Sequence, residues 1–240
     1  MSKKRLKIKY KKLLLILLEI FFLCLIILSS YKIITWFNEN KESKNEIETI
    51  KEKVIDDDIK LNSTEAHKIN FNDLKDLNKD SRAWLTVLNT NVDYPVVQSN
   101  NNDFYLNHNF YKYSSSSGWP FLDYRNNLSD KNIIIYAHNR LDGSMFGSLK
   151  KLKKSNSTDI YLTTDKDTYV YKVFSVYEVK EEDYYLQTIF KDDEFDKFIN
   201  TVKDRSIKDY NVDVSNTKQV LTLSTCTIQD DYRLVVHAKR

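Results

Sequence analysis

Only two cysteines, three glycines and two prolines occur in this 240-residue chain, and each scarcity closes off a class of protein. Cys24 lies inside an apolar run, so Cys226 has no disulfide partner within its own domain, and a disulfide-stapled framework is excluded. One remaining cysteine and four scattered histidines offer no metal-ligand spacing, and no tight acidic loop demands calcium, so no metal or cofactor is expected. With so little Gly and Pro, the turns fall to Asn and Asp. The chain has no internal repeat. Its net charge of +3 arises in the first twelve residues, which hold Lys3, Lys4, Arg5, Lys7, Lys9, Lys11 and Lys12. Without that tail and Glu19, 30 basic side chains face 33 acidic ones, so no basic face exists for nucleic acid and none is expected as a partner.

The apolar run from Leu13 to Leu28, broken only by Glu19, extends through Ile33, Ile34, Trp36 and Phe37 to the ~20 residues that span a bilayer. Leu28-Ser29-Ser30-Tyr31 lacks a small-x-small cleavage site and the run is long for a secretion signal, which favours an uncleaved anchor over a cleaved peptide. The basic tail then lies in the cytoplasm and the rest outside. Expected boundaries are 1–12 for the tail, 13–37 for the anchor in membrane lipid, 38–68 for a stalk and 69–240 for one outer domain. The stalk carries Ile47, Ile50, Val54, Ile55, Ile59 and Leu61 at partly helical spacing, a thin stripe compatible with a helix or with a solvated linker.

In the outer domain, β-branched and aromatic runs predict strands at 83–87, 94–97, 133–137, 159–162, 169–179, 220–223 and 232–237, a mainly antiparallel barrel or sandwich. Helical stretches are expected at 72–80, 145–151 and 192–204, the last with Phe195, Phe198, Ile199 and Val202 on one face.

The segment Thr222-Leu223-Ser224-Thr225-Cys226 ends one strand, and after Gln229-Asp230-Asp231 the chain turns into a second strand carrying Arg233. A hairpin brings the guanidinium beside the thiol, where it can hold a thiolate and stabilise an oxyanion. The competing reading is an inert buried cysteine. A free thiol outside a cell needs a reason, and catalysis supplies one. The apolar run Asn132 to Ala137 leads into His138, a proton carrier at the mouth of a strand. His67 in the linker and His108 in an Asn-rich loop are weaker candidates, and His237, on the face of Arg233, is the rival.

These residues resemble the sortase family of cysteine transpeptidases, in which a Thr-Leu-x-Thr-Cys signature ends one strand, an Arg follows on the next and a His lies upstream. Asn91 to Gln98, Asn102 to Leu106, Phe121 to Asn126 and Ile134 to Asn139 are similar to class B members in particular. The resemblance implies a closed β-barrel of about eight strands, with N-terminal helices and a long helix between the sixth and seventh strands. It implies that Cys226 attacks the carbonyl of a Thr in a C-terminal sorting motif, giving a thioester. His138 would protonate the leaving amine and Arg233 would bind the oxyanion. It further implies a substrate groove at Ser224, Asn102, Leu106, Tyr136, Tyr185, Leu186 and Ile189, with Asp123 and Arg125 near it either as orienting groups or as a structural ion pair.

Expected partners are surface proteins with Asn-Pro-x-Thr or Ser/Pro-Pro-x-Thr motifs and a peptidoglycan cross-bridge amine on a Gram-positive cell; a pilin lysine is the alternative acceptor. A non-enzymatic anchored module is the reading from another class. Two related chemistries fit less well: papain-like enzymes place Cys before His, and L,D-transpeptidases put a Gly before Cys, where this chain has Thr225. The chain departs from the family pattern at Ala137, where many members have Gly, at Trp119-Pro120, and in the short step of seven residues from Cys226 to Arg233.

Overall fold

A computed structural model describes residues 2–55, 66–180, 182, 184–226 and 231–240. The chain separates into two compact units at residue 44. A continuous helix, α1 (Ser2–Val54), supplies nearly all of the first unit. Its apolar side chains from Leu13 to Leu28 face outward, and an 18-residue window reaches a mean hydropathy of 2.9, so the helix is long and apolar enough to cross a membrane. The stalk is thus helical through Val54, while Ile59 and Leu61 lie outside the described residues.

In the second unit, α2 (Phe71–Leu77) opens on Asn70, whose side chain accepts from the backbone of Asn72 and Asp73, so the polar residue before Phe71 sets where the helix starts. Eight strands follow: β1 (Ser81–Val87), β2 (Asp93–Val97), β3 (Phe121–Leu122), β4 (Asn132–Tyr136), β5 (Asp159–Thr163), β6 (Thr168–Lys180), β7 (Val220–Cys226) and β8 (Tyr232–Lys239). They close in the order β1-β2-β3-β4-β7-β8-β6-β5, which leaves no edge strand. Pairing is mainly antiparallel, as the sequence pattern suggests, and the barrel is mixed because β2 runs parallel to β3 and β4 parallel to β7. β3 begins directly after Pro120, as expected of a residue that cannot donate to a ladder.

Alternation divides the core. Ile133, Ile135, Leu221, Leu223 and Val236 fill the barrel, and Val220 and Val235 on the opposite face pack with Phe174 and Tyr177 under α3 (Glu194–Asp204). Phe195, Phe198, Ile199 and Val202 of α3 are buried there, at about 1.5–3 kcal/mol for each side chain removed from water. This is the expected helix between the sixth and seventh strands. The helix expected at 145–151 is instead an irregular turn, in which Met145 has φ +49° and bridges to Asn139, followed by a 3-10 helix at Leu149–Lys154.

Candidate functional site

β4 and β7 are parallel with Tyr136 level with Ser224, so their C-terminal ends emerge at one rim of the barrel. His138 follows the end of β4 and Cys226 closes β7. β8 returns antiparallel from that rim, and its register sets Arg233 opposite Cys226 on one side and Val179 on the other. Most of the connection, residues 227–230, including the turn expected at Gln229 and Asp230, lies outside the described residues.

A cavity of about 360 Å³ opens at this rim, lined by Asn102, Leu106, Tyr136, His138, Tyr185, Leu186, Ser224 and Arg233, with Asp103, Phe121, Ala137, Glu182 and Thr225. All the sequence-derived site residues with described side chains therefore meet in one place except Ile189, which is 80% exposed and does not line it. A larger cavity, about 800 Å³, lies between 66–72 and the β5–β6 hairpin; it contains His67 and no cysteine.

Local contacts fix each side chain. His138 donates through Nε2 to the carbonyl of Leu106 at 2.7 Å, which makes Nε2 the protonated nitrogen. Gly118 makes this approach possible: its φ is +56°, and a Cβ there would lie 2.7 and 2.8 Å from the carbonyl oxygens of Tyr105 and Leu106 and 2.9 Å from Cδ2 of His138. Ser224 is buried, with Oγ 3.2 Å from the hydroxyl of Tyr185. Asn132 holds the segment of Tyr185 by donating to the carbonyls of Tyr185 and Gln187 at 3.1 and 2.9 Å. Arg233 also donates to the carbonyl of Tyr232 at 3.3 Å.

Asn102 and Tyr136 both donate to the carboxylate of Asp123, at 3.1 and 2.9 Å. Arg125 grips the same carboxylate through Nε and a terminal nitrogen at 2.9 and 2.8 Å. Burial pushes the Asp123 carboxyl up, but the hydrogen bonds from Arg125 and Tyr136 outweigh it and hold the group below the usual carboxylate range. Burial and the neighbouring Asp123 push Tyr136 well above an ordinary phenol, so Tyr136 stays protonated.

His237 stands apart from the cavity. It is fully buried beneath α3, with Nε2 3.0 Å from the hydroxyl of Tyr177 and Nδ1 2.9 Å from Thr222 Oγ1. His108 stacks on Phe104, and His67 pairs with Asp93 at 3.0 Å. Among the described residues no cluster of His, Cys, Asp and Glu is arranged to hold a metal ion.

Residues 85–240 match the model of the Sortase domain. Sortase B of Listeria monocytogenes is 35% identical over 239 residues, 95% of each chain. The chain belongs to the sortase family, in class B. Solved structures agree with this placement: Clostridium perfringens sortase B superposes with a TM-score of 0.67 at 36% identity over 71% of this chain and 98% of that one. A Staphylococcus aureus sortase B–substrate complex superposes with a TM-score of 0.71 at 27% identity, over 84% and 97% of the two chains. A sortase is a transpeptidase acting on cell-surface proteins, and the cleft at the barrel rim is where this sortase gathers His138, Arg233 and the end of its cysteine-bearing strand.

Sequence inspection passed over Gly118 and Glu182, and took Asp103 and Thr225 only as members of family segments without a place in the groove. Gly118 had a signal in its rarity, since a chain with three glycines keeps them where a side chain does not fit. The other three are brought to the cavity by loops and a strand end whose placement no local pattern encodes.

Proposed function

We propose that this sortase cleaves a C-terminal sorting motif after Thr and transfers the released protein to a cell-wall amine. The thiolate of Cys226 attacks the Thr carbonyl and the carbon–sulfur bond forms as the peptide C–N bond breaks, leaving a thioester. His138 gives a proton to the departing amine and later takes one from the incoming amine, which attacks the thioester and releases the thiolate of Cys226. Arg233 donates hydrogen bonds to the oxyanion in both steps. The observation that carries this reading is the shared rim: Arg233 is in register with Cys226, and Arg233 and His138 line one cavity with Ser224.

The substrate strand runs along Asn102, Leu106, Tyr136, Tyr185, Leu186 and Ser224, with an Asn-Pro-x-Thr or Ser/Pro-Pro-x-Thr motif and a peptidoglycan cross-bridge amine as the two reactants. The relative solved with its substrate supports a peptide in this cleft. The chain is organised as a cytoplasmic tail (1–12), a membrane anchor (13–37), a stalk (38–68) and an outer catalytic domain (69–240). The apolar run of α1 supports the anchor. No metal or cofactor enters the reaction.

The test is incubation of the detergent-solubilised chain with a library of sorting-motif peptides and candidate amines, with products read by mass. Cleavage after Thr, a thioester adduct on Cys226 and loss of both in Cys226→Ala are expected. Retained transpeptidation in Cys226→Ala sinks the assignment.

A further inference from the structure

The two walls of the cavity are tied to one buried carboxylate. Asp123, with no exposed side-chain surface, accepts five hydrogen bonds. Oδ1 takes the backbone N–H and Nε of Arg125, both at 2.9 Å. Oδ2 takes Arg125, Tyr136 and Asn102. Asn102 stands just before the 3-10 turn Phe104–Leu106, whose last carbonyl holds His138. Tyr136 ends β4, two residues before His138. Arg125 reaches the far wall, where its terminal nitrogen donates to the carbonyl of Leu186 at 3.2 Å.

The valences on these groups are already committed. The one hydroxyl proton of Tyr136 goes to Asp123, so Tyr136 offers the cavity only lone pairs. Asn102 spends one amide proton on Asp123 and its carbonyl on the backbone of Tyr124, which leaves one donor. A neutral amide in place of Asp123 has one accepting oxygen instead of two and brings two donors of its own, so it cannot reproduce this polarity.

We propose that Asp123 is the positioning residue of the substrate groove: its carboxylate sets the spacing of the two walls and holds Tyr136 as a hydrogen-bond acceptor toward the bound peptide. This rests on the cavity being the peptide groove. In that scheme Asp123 takes no part in making or breaking a bond, so its work lies in binding and orientation.

The test is Asp123→Asn in the full chain, assayed with a cleavable sorting-motif peptide. KM is expected to rise about tenfold while kcat stays within about twofold, the signature of lost binding without lost chemistry. A merely structural ion pair would lower the active fraction, so kcat would fall with KM unchanged, and that result overturns the proposal. Tyr136→Phe supplies a second arm: its effect should be largely absent in the Asp123→Asn background, whereas full additivity counts against a shared carboxylate. Should Asp123→Asn fail to fold, Arg125→Met keeps the carboxylate and its bonds from Tyr136 and Asn102 while removing both side-chain bonds from Arg125 and the tie to the Leu186 wall, with an expected rise in KM of about threefold; an unchanged KM overturns the proposal. Hydrogen exchange without substrate separates this idea from the catalytic assignment. Loss of the tie should raise exchange around Asn102 and Leu186 together, and no joint increase refutes the role of Asp123 even if the wild-type protein cleaves no peptide.

Discussion

His237 makes the stability of this sortase acid-sensitive, and the structure gives the size of the effect. The hydroxyl of Thr222 donates to Oδ1 of Asn132, so toward the imidazole Thr222 can only accept. Nδ1 of His237 therefore carries the proton and Nε2 accepts from Tyr177. Protonation would set an N–H against that hydroxyl and place a charge under Phe174 and Phe198, with Arg205 adding repulsion. Burial first, and Arg205 second, push the imidazole down to about 3 from 6.5. The unfolded chain thus binds the proton that the fold refuses, and stability falls as pH drops from about 6.5 toward 3. The whole span is worth on the order of 5 kcal/mol, of which about 2 kcal/mol is lost between about pH 7.5 and pH 5. For a domain of this size that is a fall in Tm of about 4–8 °C. Calorimetry of the solubilised protein at those two pH values, beside His237→Gln, isolates the contribution. The variant starts less stable but should lose about 2 kcal/mol less over the interval; equal pH slopes in the two proteins would refute the reasoning.

Gly118→Ala should be damaging out of proportion to one methyl group, because its φ is +56° and the new Cβ meets two carbonyl oxygens within 2.8 Å. A loss of about 2–4 kcal/mol in chemical unfolding and at least a tenfold fall in kcat/KM are expected, the second because His138 must move; wild-type kinetics in this variant would contradict the geometry. Glu46 works in the opposite direction to His237. Burial outweighs its hydrogen bonds to Asn109 and the backbone of Tyr111 and raises its carboxyl to about 7 from 4.5, while Oε1 is buried without a partner. The fold holds the proton longer than the unfolded chain does, so this contribution is present at about pH 4.5 and lost as pH rises to 7. Glu46→Gln should raise the free energy of unfolding at about pH 8 by about 1–2 kcal/mol, after allowance for solvent screening, and leave it unchanged at about pH 4.5; the absence of any gain at pH 8 would refute this account.

What the sequence made legible was whatever local chemistry encodes. The long alternation of β6 and the β-branched runs of β4 and β7 announce strands because burial on a pleat selects those side chains. The α3 stripe announces a helix for the same reason. β3 was marked only by Pro120, since two residues cannot show a period. The parallel pairs were hidden because nothing in a strand's own residues states the direction of its neighbour. Among candidate site residues, those on strands are the easier ones. Asn102, Leu106 and Leu186 sit on loops and short 3-10 turns, and their positions depend on Asp123, Gly118 and Arg125 acting across the fold. Ile189, placed in the groove only by likeness to relatives, is out in solvent.

The rim arrangement follows from topology more than from any one contact. Two parallel neighbours end at the same edge of a barrel, so His138, two residues past β4, and the residue closing β7 must emerge together, however far apart they lie in the chain. An antiparallel strand beside β7 must start at that edge, so a cation near the start of β8 joins them. An imidazole, a guanidinium and the cysteine-bearing end of β7 are thereby delivered to one rim by strand direction, and the backbone ladder fixes their level: Tyr136 with Ser224, and Cys226 with Arg233. Side-chain contacts then need only aim the groups. That is why the aiming residues, Gly118 beneath His138 and Asp123 between the walls, lie on loops and have no counterpart in the strand pattern. It also predicts where tolerance ends: a shift of one residue in the β4–β7 register would carry His138 off the level of Cys226 and turn Ile133 and Ile135 out of the core at once, so the site and the barrel should be lost together.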